Sequence, residues 1–267
     1  MKVVVLMDQV IQGKLKEIEE QFQVKVLFAV ESGSRAWGFP SKDSDYDVRF
    51  VYIHQPDWYL AIDPQGIGEK RDVIEVPINE MLDISGWEIT KALRLFRKSN
   101  PPFLEWMNSE IQYYEAFSFK EKLKGLEGEV FFPNASLHHY LNMAKNNYRT
   151  HLSKNEVKIK KYFYALRPVL AATWIKERQT IPPMDFYDLM KALVPEGILK
   201  EEILDLLVRK KAGEELDLEQ QIPAIHQFLD NEIEGLEVYA TTLPPRIGDP
   251  TAKLDSLFRE TLEEVWR

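Results

Sequence analysis

The strongest constraint on the fold comes from two apolar runs near the N-terminus and the segment that joins them. Residues 23–30 and 45–53 are rich in β-branched and aromatic side chains, which is typical of strands buried in a sheet. Gly33 and Ser34 follow the first run, at a point where the backbone must turn. The pattern predicts two neighbouring strand ends, one carrying the turn and the other the start of the second strand.

Two aspartates open the second run. Side chains two residues apart on a strand point to the same face, so Asp45 and Asp47 are expected to lie side by side. Carboxylate oxygens suit hard divalent cations, and a two-metal phosphoryl-transfer site holds its ions roughly 3.5–4 Å apart. The pair is a candidate metal site, with a solvated strand edge as the alternative. Asp43 precedes the pair and is expected to shape the turn or bind an outer-shell water.

The turn itself is a candidate phosphate-binding segment. Gly33 lets a phosphate approach the backbone, and Ser34 offers both its N–H and its hydroxyl. A helix that begins near Arg35 would add the favourable dipole of its N-terminus. Arg35 is expected to pair with phosphate or with a nearby carboxylate. The alternative is an ordinary turn between buried elements.

The remainder of the first half alternates helices and strands. Asp8 is a suitable N-cap for a first helix, and short strands are predicted at 72–78 and 81–84. A helix is expected from residue 86 or 87 to residue 98. The Asn-Pro-Pro sequence at 100–102 ends it, because proline disfavours helical geometry in the residue before it.

Strand patterns nearly vanish after residue 119, and helical periodicity takes over. Helices are predicted at 136–153, 154–176, 185–193, 200–211 and 218–240. The fold class is therefore α+β, with an N-terminal α/β domain that contains a mixed sheet and an all-helical C-terminal domain. We place the two domains at 1–118 and 119–267.

One predicted helix carries a second group of candidate residues. Lys160, Tyr164 and Arg167 recur at i, i+4 and i+7, so they share a helix face. The two cations would neutralise a triphosphate while the tyrosine stacks on a base, and Lys161 would serve in place of Lys160. A solvated basic edge is an equally good interpretation.

Several segments together resemble one known group of enzymes. The Gly-Ser turn followed by Asp-x-Asp is similar to the signature of the DNA polymerase β-like nucleotidyltransferase superfamily. A longer set of segments resembles its branch of RNA-ligase-associated nucleotidyltransferases. These segments are GSRAWG at 33–38, DSDYD at 43–47, GWE at 86–88, KSNPP at 98–102, LEW at 104–106 and KYFYALRP at 161–168.

The resemblance implies a minimal nucleotidyltransferase fold that uses Mg²⁺, with Mn²⁺ as an option, and a nucleoside triphosphate such as ATP. An acceptor attacks the α-phosphorus and pyrophosphate leaves. Gly33 and Ser34 would hold the phosphates, and Asp45 and Asp47 would bind the metal.

Active members of such a superfamily carry a third carboxylate on a later strand. Asp72, Glu75 and Asp83 are the candidates. We favour Asp83, because it lies inside a short apolar run just before the predicted helix at 86–98. Glu75 is the main alternative. The third acid would bind the catalytic metal and help to deprotonate the attacking hydroxyl.

Composition limits the partners. The net charge of −9 argues against broad non-specific binding to nucleic acid, although a locally basic groove is compatible with it. Cysteine is absent and no apolar stretch reaches the roughly 20 residues of a membrane span, so a cytoplasmic protein without membrane contact is expected.

The acceptor stays open among an RNA end, a protein hydroxyl and a small molecule, and so do the base preference and the oligomeric state. A catalytically silent nucleotide-binding regulator or partner-binding module of the same fold is the alternative function. A toxin–antitoxin component is a further one.

Overall fold

The fold is that of a computed structural model, which describes residues 2–41, 44–62, 72–79, 81–214, 217–245 and 248–267. It is α+β, as the sequence predicts. Asp43, the expected support of the aspartate pair, lies outside the described residues. No helix within the described ranges is long and apolar enough to cross a bilayer.

The first half follows the alternating pattern expected from the sequence. Its elements are α1 (Lys2–Phe22), β1 (Val24–Ser32), α2 (Gly33–Ala36), β2 (Tyr46–His54), α3 (Pro56–Tyr59), β3 (Val73–Asn79), β4 (Leu82–Glu88), α4 (Ile89–Arg97), α5 (Pro101–Asn108) and β5 (Gln112–Glu115).

The second half is helical except for one short two-stranded ribbon. Its elements are α6 (Phe119–Val130), α7 (Pro133–Asn147), a π-helical turn (Tyr148–Leu152), β6 (Glu156–Lys158), α8 (Ile159–Arg178), α9 (Phe186–Leu193), α10 (Ile198–Arg209), a turn (Lys210–Glu214), β7 (Leu218–Gln220), α11 (Pro223–Ala240) and α12 (Thr251–Trp266).

Five strands form one mixed sheet in the order β3-β4-β2-β1-β5. β2 and β4 run parallel, and the other neighbours are antiparallel. In this register Asp47 lies between Ser32 on β1 and Asp83 on β4. The sheet therefore brings the strand that follows the Gly-Ser turn next to the strand that carries the favoured third acid.

Two apolar cores cover the sheet. α1 packs Ile11, Leu15 and Ile18 against one face. Helices α4, α5, α6 and α12 bury the other face, including Phe28 and Val51 from the central strands. Because both faces of β1 and β2 are covered, these strands read as almost continuous apolar runs in the sequence.

A third core joins helices α7 to α11. Two helices from beyond residue 118, α6 and α12, instead bury side chains in the core of the sheet, among them Phe119, Leu123, Leu254 and Leu257. The division at 118/119 stays a prediction.

Two predicted helix starts in the first half are wrong. α1 begins at Lys2 and not at Asp8. Residues 86–88 continue β4, so the next helix begins only at Ile89. Gly86 is needed in the strand because a Cβ there would overlap the ring of Phe50 on β2. Glu88 then caps α4 by accepting the N–H of Thr90 at 2.7 Å.

The helices predicted at 154–176 and 218–240 both start too early. Glu156–Lys158 and Leu218–Gln220 pair as an antiparallel ribbon instead. Val157 is buried while its two neighbours on β6 are exposed, which is the alternation of a strand. Three residues are too few for that alternation to stand out beside a long helical pattern.

Candidate active site

Three carboxylates lie near the end of the sheet where β2 begins. Asp47 is the second residue of β2 and is partly buried, with 26% of its side chain exposed. Asp83 lies beside it in register on β4 and is 48% exposed. Asp45 stands one residue before the strand and is exposed. The fold thus brings the predicted pair and the favoured third acid to one place.

The other two candidates for the third acid lie elsewhere. Asp72 forms an ion pair with Lys91 at 3.1 Å. Glu75 is exposed on β3, which is separated from β2 by β4, and it pairs in register with Ser85. Only Asp83 is the direct neighbour of Asp47, and the assignment of the third acid stays a prediction.

An arginine that the sequence reasoning missed bridges the two acids. Nη2 of Arg49 lies 2.9 Å from Oδ1 of Asp47 and 2.8 Å from Oδ2 of Asp83. Nη1 donates to the carbonyl oxygen of Val48 at 3.0 Å. Arg49 shares a strand face with Asp47 because it follows two residues later on β2. That spacing was the signal available in the sequence.

A buried glutamate supports Asp47 from the neighbouring strand. Glu31 on β1 is fully buried and accepts the backbone N–H of Asp47 at 2.8 Å. It also accepts the hydroxyl of Tyr113 on β5. Burial raises the pKa of Glu31 to about 7, against the effect of these hydrogen bonds. The sequence showed it only as a lone acid inside an apolar run.

The acids make this end of the sheet electrostatically negative. Burial is the main cause that raises the pKa of Asp47, and the charges of Asp45 and Asp83 raise it further. Arg49 acts in the opposite direction. A cation placed among these carboxylates therefore reduces their mutual repulsion and favours the charged form of Asp47.

Gly33 packs directly against Asp47. Its φ of +65° lies in the left-handed region, and a Cβ there would overlap Oδ2 of Asp47. Ser34 donates its hydroxyl to Oγ of Ser44 at 3.3 Å. The helix expected near Arg35 is the single turn Gly33–Ala36, so it offers little of the helix dipole that the sequence suggested.

Arg35 holds the loop that precedes β2. Its Nε donates to the carbonyl oxygen of Asp45 at 2.9 Å, and its Nη2 donates to that of Ser44 at 2.6 Å. The guanidinium also lies 3.7 Å from the ring centroid of Tyr46. Its hydrogen-bond acceptors are backbone oxygens, its charge lowers the pKa of Glu31, and the predicted contact with phosphate stays a prediction.

Arg167 forms a buried ion pair with Glu105. It is 3% exposed, and its Nη1 pairs with Oε1 of Glu105 at 2.7 Å. Tyr140 donates its hydroxyl to the same oxygen at 2.7 Å, and Trp37 donates its indole N–H to Oε2 at 3.3 Å. The guanidinium is thus engaged by Glu105 and by the carbonyl oxygen of Met184, and the predicted phosphate contact of Arg167 stays a prediction.

This cluster brings together three of the segments on which the family resemblance rests, although they are far apart in the chain. Trp37 comes from GSRAWG, Glu105 from LEW and Arg167 from KYFYALRP. The guanidinium of Arg167 lies 4.5 Å from the Trp37 ring centroid. Side chains from the three segments meet in one cluster, joined by an ion pair and a cation–ring contact, next to the Gly-Ser turn.

Tyr164 and three nearby lysines adjoin this cluster. The Tyr164 ring meets Trp37 edge-on, with the centroids 6.4 Å apart. Nζ of Lys161 lies 4.8 Å from the Tyr164 centroid, and burial together with the charges of Lys160 and Lys158 lowers the pKa of Lys161. These lysines make no ion pair with any described residue. We call Lys158, Lys160 and Lys161 the lysine patch.

The fit of the carboxylates to a metal ion depends on their number and on their donor atoms. In the described part of the chain, no three His, Cys, Asp or Glu side chains are grouped so that they could hold one. Oxygen donors are nevertheless the ligands that Mg²⁺ requires, and Asp47 and Asp83 already converge on one cationic nitrogen of Arg49. The donor chemistry fits, and the position between the two acids is held by Arg49.

Comparison with known proteins places the chain among related sequences. The sequence model of the "RNA repair pathway DNA polymerase beta family" matches residues 7–260. The uncharacterized protein YcgL of Bacillus subtilis (strain 168) is 55% identical over 261 residues, which cover 98% of each chain. A crystal structure of a nucleotidyltransferase-like protein from Exiguobacterium sibiricum 255-15 is 14% identical, with a TM-score of 0.32 over 90% of this chain and 82% of that one.

Proposed function

The chain belongs to the RNA repair pathway DNA polymerase beta family, and from this premise we propose that it transfers a nucleoside monophosphate from a nucleoside triphosphate to an acceptor. The observation that carries the proposal is the register of Asp47 with Asp83 on parallel strands, beside a glycine turn packed on Asp47. A metal-dependent nucleotidyl transfer needs such convergent carboxylates next to a phosphate-binding backbone.

In the proposed reaction, an acceptor hydroxyl attacks the α-phosphorus and a new phosphorus–oxygen bond forms. The bond from the α-phosphorus to the bridging oxygen of the β-phosphate breaks, and pyrophosphate leaves with that electron pair. Asp83 takes the hydroxyl proton, directly or through water. Bound Mg²⁺, or Mn²⁺, would supply positive charge to the triphosphate at Asp45, Asp47 and Asp83.

Gly33 and Ser34 are proposed to hold the phosphates. The missing Cβ at Gly33 keeps the space beside Asp47 clear, and the Ser34 hydroxyl is able to donate to a phosphate oxygen. Tyr164, Lys160 and Lys161 are proposed as outer contacts of the nucleotide or the acceptor. The guanidinium of Arg167 packs over the ring of Trp37, and Arg167 is not included among the proposed nucleotide contacts.

We propose an RNA end as the first acceptor to test, ahead of a protein hydroxyl or a small molecule. The family's description and the lysine patch support it. The net charge of −9 favours contact with a short stretch over wrapping of a long polyanion.

The alternative is a nucleotide-binding protein of the same fold that does no chemistry. The position of Arg49 between Asp47 and Asp83 favours this alternative, because a permanent guanidinium there would keep metal out. Release of pyrophosphate separates the two functions, whereas binding of nucleotide does not.

The test uses purified protein with each α-labelled nucleoside triphosphate, Mg²⁺ or Mn²⁺, and cell extract separated into RNA, protein and metabolites. We expect label in one fraction, lost in Asp47→Asn and in Asp83→Asn. Glu75→Gln is the matched control and keeps activity, because Glu75 lies on a strand that does not neighbour β2. Absence of both transfer and pyrophosphate release under every condition would rule out the enzyme.

A further inference from the structure

The contacts of Arg49 suggest a role that goes beyond holding the strand. One nitrogen, Nη2, contacts carboxylate oxygens of both Asp47 and Asp83, at 2.9 and 2.8 Å. Nη1 contacts the carbonyl oxygens of Val48, at 3.0 Å, and of Asp83, at 3.4 Å. The guanidinium is thus seated on oxygens from both strands, in the place where the two acids converge.

A guanidinium differs from other cations in ways that matter here. It stays charged at any pH a protein tolerates, and its several N–H donors let Nη2 contact both acids while Nη1 contacts backbone carbonyl oxygens. The Arg49 side chain is 20% exposed, so water screens the interaction only in part. Without Arg49, Asp47 would be left partly buried beside two like charges, Asp45 and Asp83.

The same oxygens are those that a divalent cation would need. A metal ion that binds Oδ1 of Asp47 and Oδ2 of Asp83 competes with Nη2 for these oxygens, and two cations so close together repel each other. Binding of metal between the two acids is therefore opposed by Arg49 and favoured by its departure. In the protein alone, no phosphate is at hand to receive the guanidinium.

Resting on the proposed function, we propose that Arg49 is an internal counter-ion that occupies the metal position and moves to the triphosphate when metal and nucleotide bind together. The triphosphate is the acceptor the guanidinium needs, since phosphate oxygens accept its paired N–H groups as carboxylates do. Arg49 thereby couples the two ligands: metal alone binds weakly, and metal with nucleotide binds well.

The test measures Mn²⁺ binding to the nucleotide-free protein by electron paramagnetic resonance. In Arg49→Gln we expect Mn²⁺ to bind about 5- to 150-fold more tightly than in the unmodified protein, the usual range of such couplings. Arg94→Gln is the control for the loss of one positive charge, because Arg94 contacts Thr90 and not the acids. It should leave Mn²⁺ affinity nearly unchanged.

A second variant and a second readout keep the test decisive. Arg49→Lys retains the positive charge without the planar guanidinium. The Mn²⁺ affinity of this variant should fall between that of the unmodified protein and that of Arg49→Gln. Mn²⁺ should also raise the melting temperature of Arg49→Gln more than that of the unmodified protein, because it replaces the missing cation. Circular dichroism verifies that each variant is folded.

The outcomes distinguish this inference from the proposed function. Equal, measurable Mn²⁺ affinity in the unmodified protein and Arg49→Gln overturns the counter-ion role and leaves the nucleotidyltransferase proposal standing. Absence of Mn²⁺ binding in every variant, with and without a non-hydrolysable triphosphate analogue, overturns both. Tighter binding in Arg49→Gln that disappears in the double variant with Asp47→Asn supports the inference.

Discussion

Asp47 is the residue on which the candidate site is built. Gly33 packs on its carboxylate, Glu31 accepts its backbone N–H, and Arg49 pairs with one of its oxygens. Each neighbour acts through a different force: steric space, a buried hydrogen bond and an ion pair. A change at any of them is expected to reach the chemistry through the position of Asp47.

Gly33→Ala tests the steric part. We expect loss of nucleotidyl transfer and of Mn²⁺ binding, because the new Cβ meets Oδ2 of Asp47. A left-handed non-glycine residue also costs on the order of 1–3 kcal/mol, so the free energy of unfolding in urea should fall. Gly125→Ala is the matched control: nothing lies within 4 Å of its Cβ in α6, and alanine favours a helix. Full activity in Gly33→Ala contradicts the expectation.

His54 gives the protein a pH dependence away from the site. Burial lowers its pKa from 6.5 to about 4, and its ring stacks on Trp58 at 4.1 Å. The unfolded chain takes up this proton near pH 6.5 and the folded chain only near pH 4. Stability therefore falls as the pH drops through that window, by up to about 1.4 kcal/mol per pH unit from this group.

His54→Phe removes this contribution and retains a ring for Trp58. We expect the variant to gain stability relative to the unmodified protein between pH 7 and pH 5, as measured by urea unfolding at both values. A difference between the two proteins that stays constant with pH would show that His54 is not the buried neutral group described above.

At the scale of helices and strands, the sequence predicts those elements whose apolar residues recur with a regular period. β1, β2 and most helices are found where their patterns place them. The predicted start of α4 is wrong for two reasons. Gly86 is needed for its contact with Phe50 on another strand, and Glu88 is the N-cap of the helix. A helical pattern reveals neither of these roles. Glu31 was missed for the same reason, since its contact depends on the register of β1 with β2.

The ion pair of Glu105 with Arg167 joins α5 to α8. Its removal tests how much this contact contributes to the stability of the fold. Glu105→Gln removes the negative charge that pairs with the buried guanidinium, which should cost up to about 3–5 kcal/mol of unfolding free energy. The double variant with Arg167→Met should lose less than the sum of the two single variants. Glu129→Gln, which breaks the exposed pair with Lys253, is the control and should change stability little. Additive losses would mean that the pair is not a unit.

At the scale of the whole molecule, the helices are divided among three cores, and this division does not follow the order of the helices along the chain. The helical second half was predicted from its periodicity, but which core each helix enters depends on long-range packing. α12 buries Leu254 and Leu257 with α4 and α6, and not with the helices that immediately precede it. The sequence of an amphipathic helix shows which side of the helix is buried, but it does not show which other element covers that side.

Leu257→Ala tests this arrangement. Leu257 is 3% exposed, so the truncation should cost about 2–5 kcal/mol. Hydrogen exchange should quicken in α4 and α6 and change little in α10. Leu207→Ala, in the core of α7 to α11, is the matched variant and should show the reverse pattern. Faster exchange in α10 after Leu257→Ala would contradict the assignment of α12.

The packing of α12 also bears on the order in which the protein is made. A ribosome releases the sheet and its helices α1, α4, α5 and α6 first, and Thr251–Trp266 more than a hundred residues later. During that interval the apolar surface that Leu254 and Leu257 cover stays open to solvent and to other nascent chains. The half that contains the sheet is thus translated early, and its apolar core is completed only when α12 has been made.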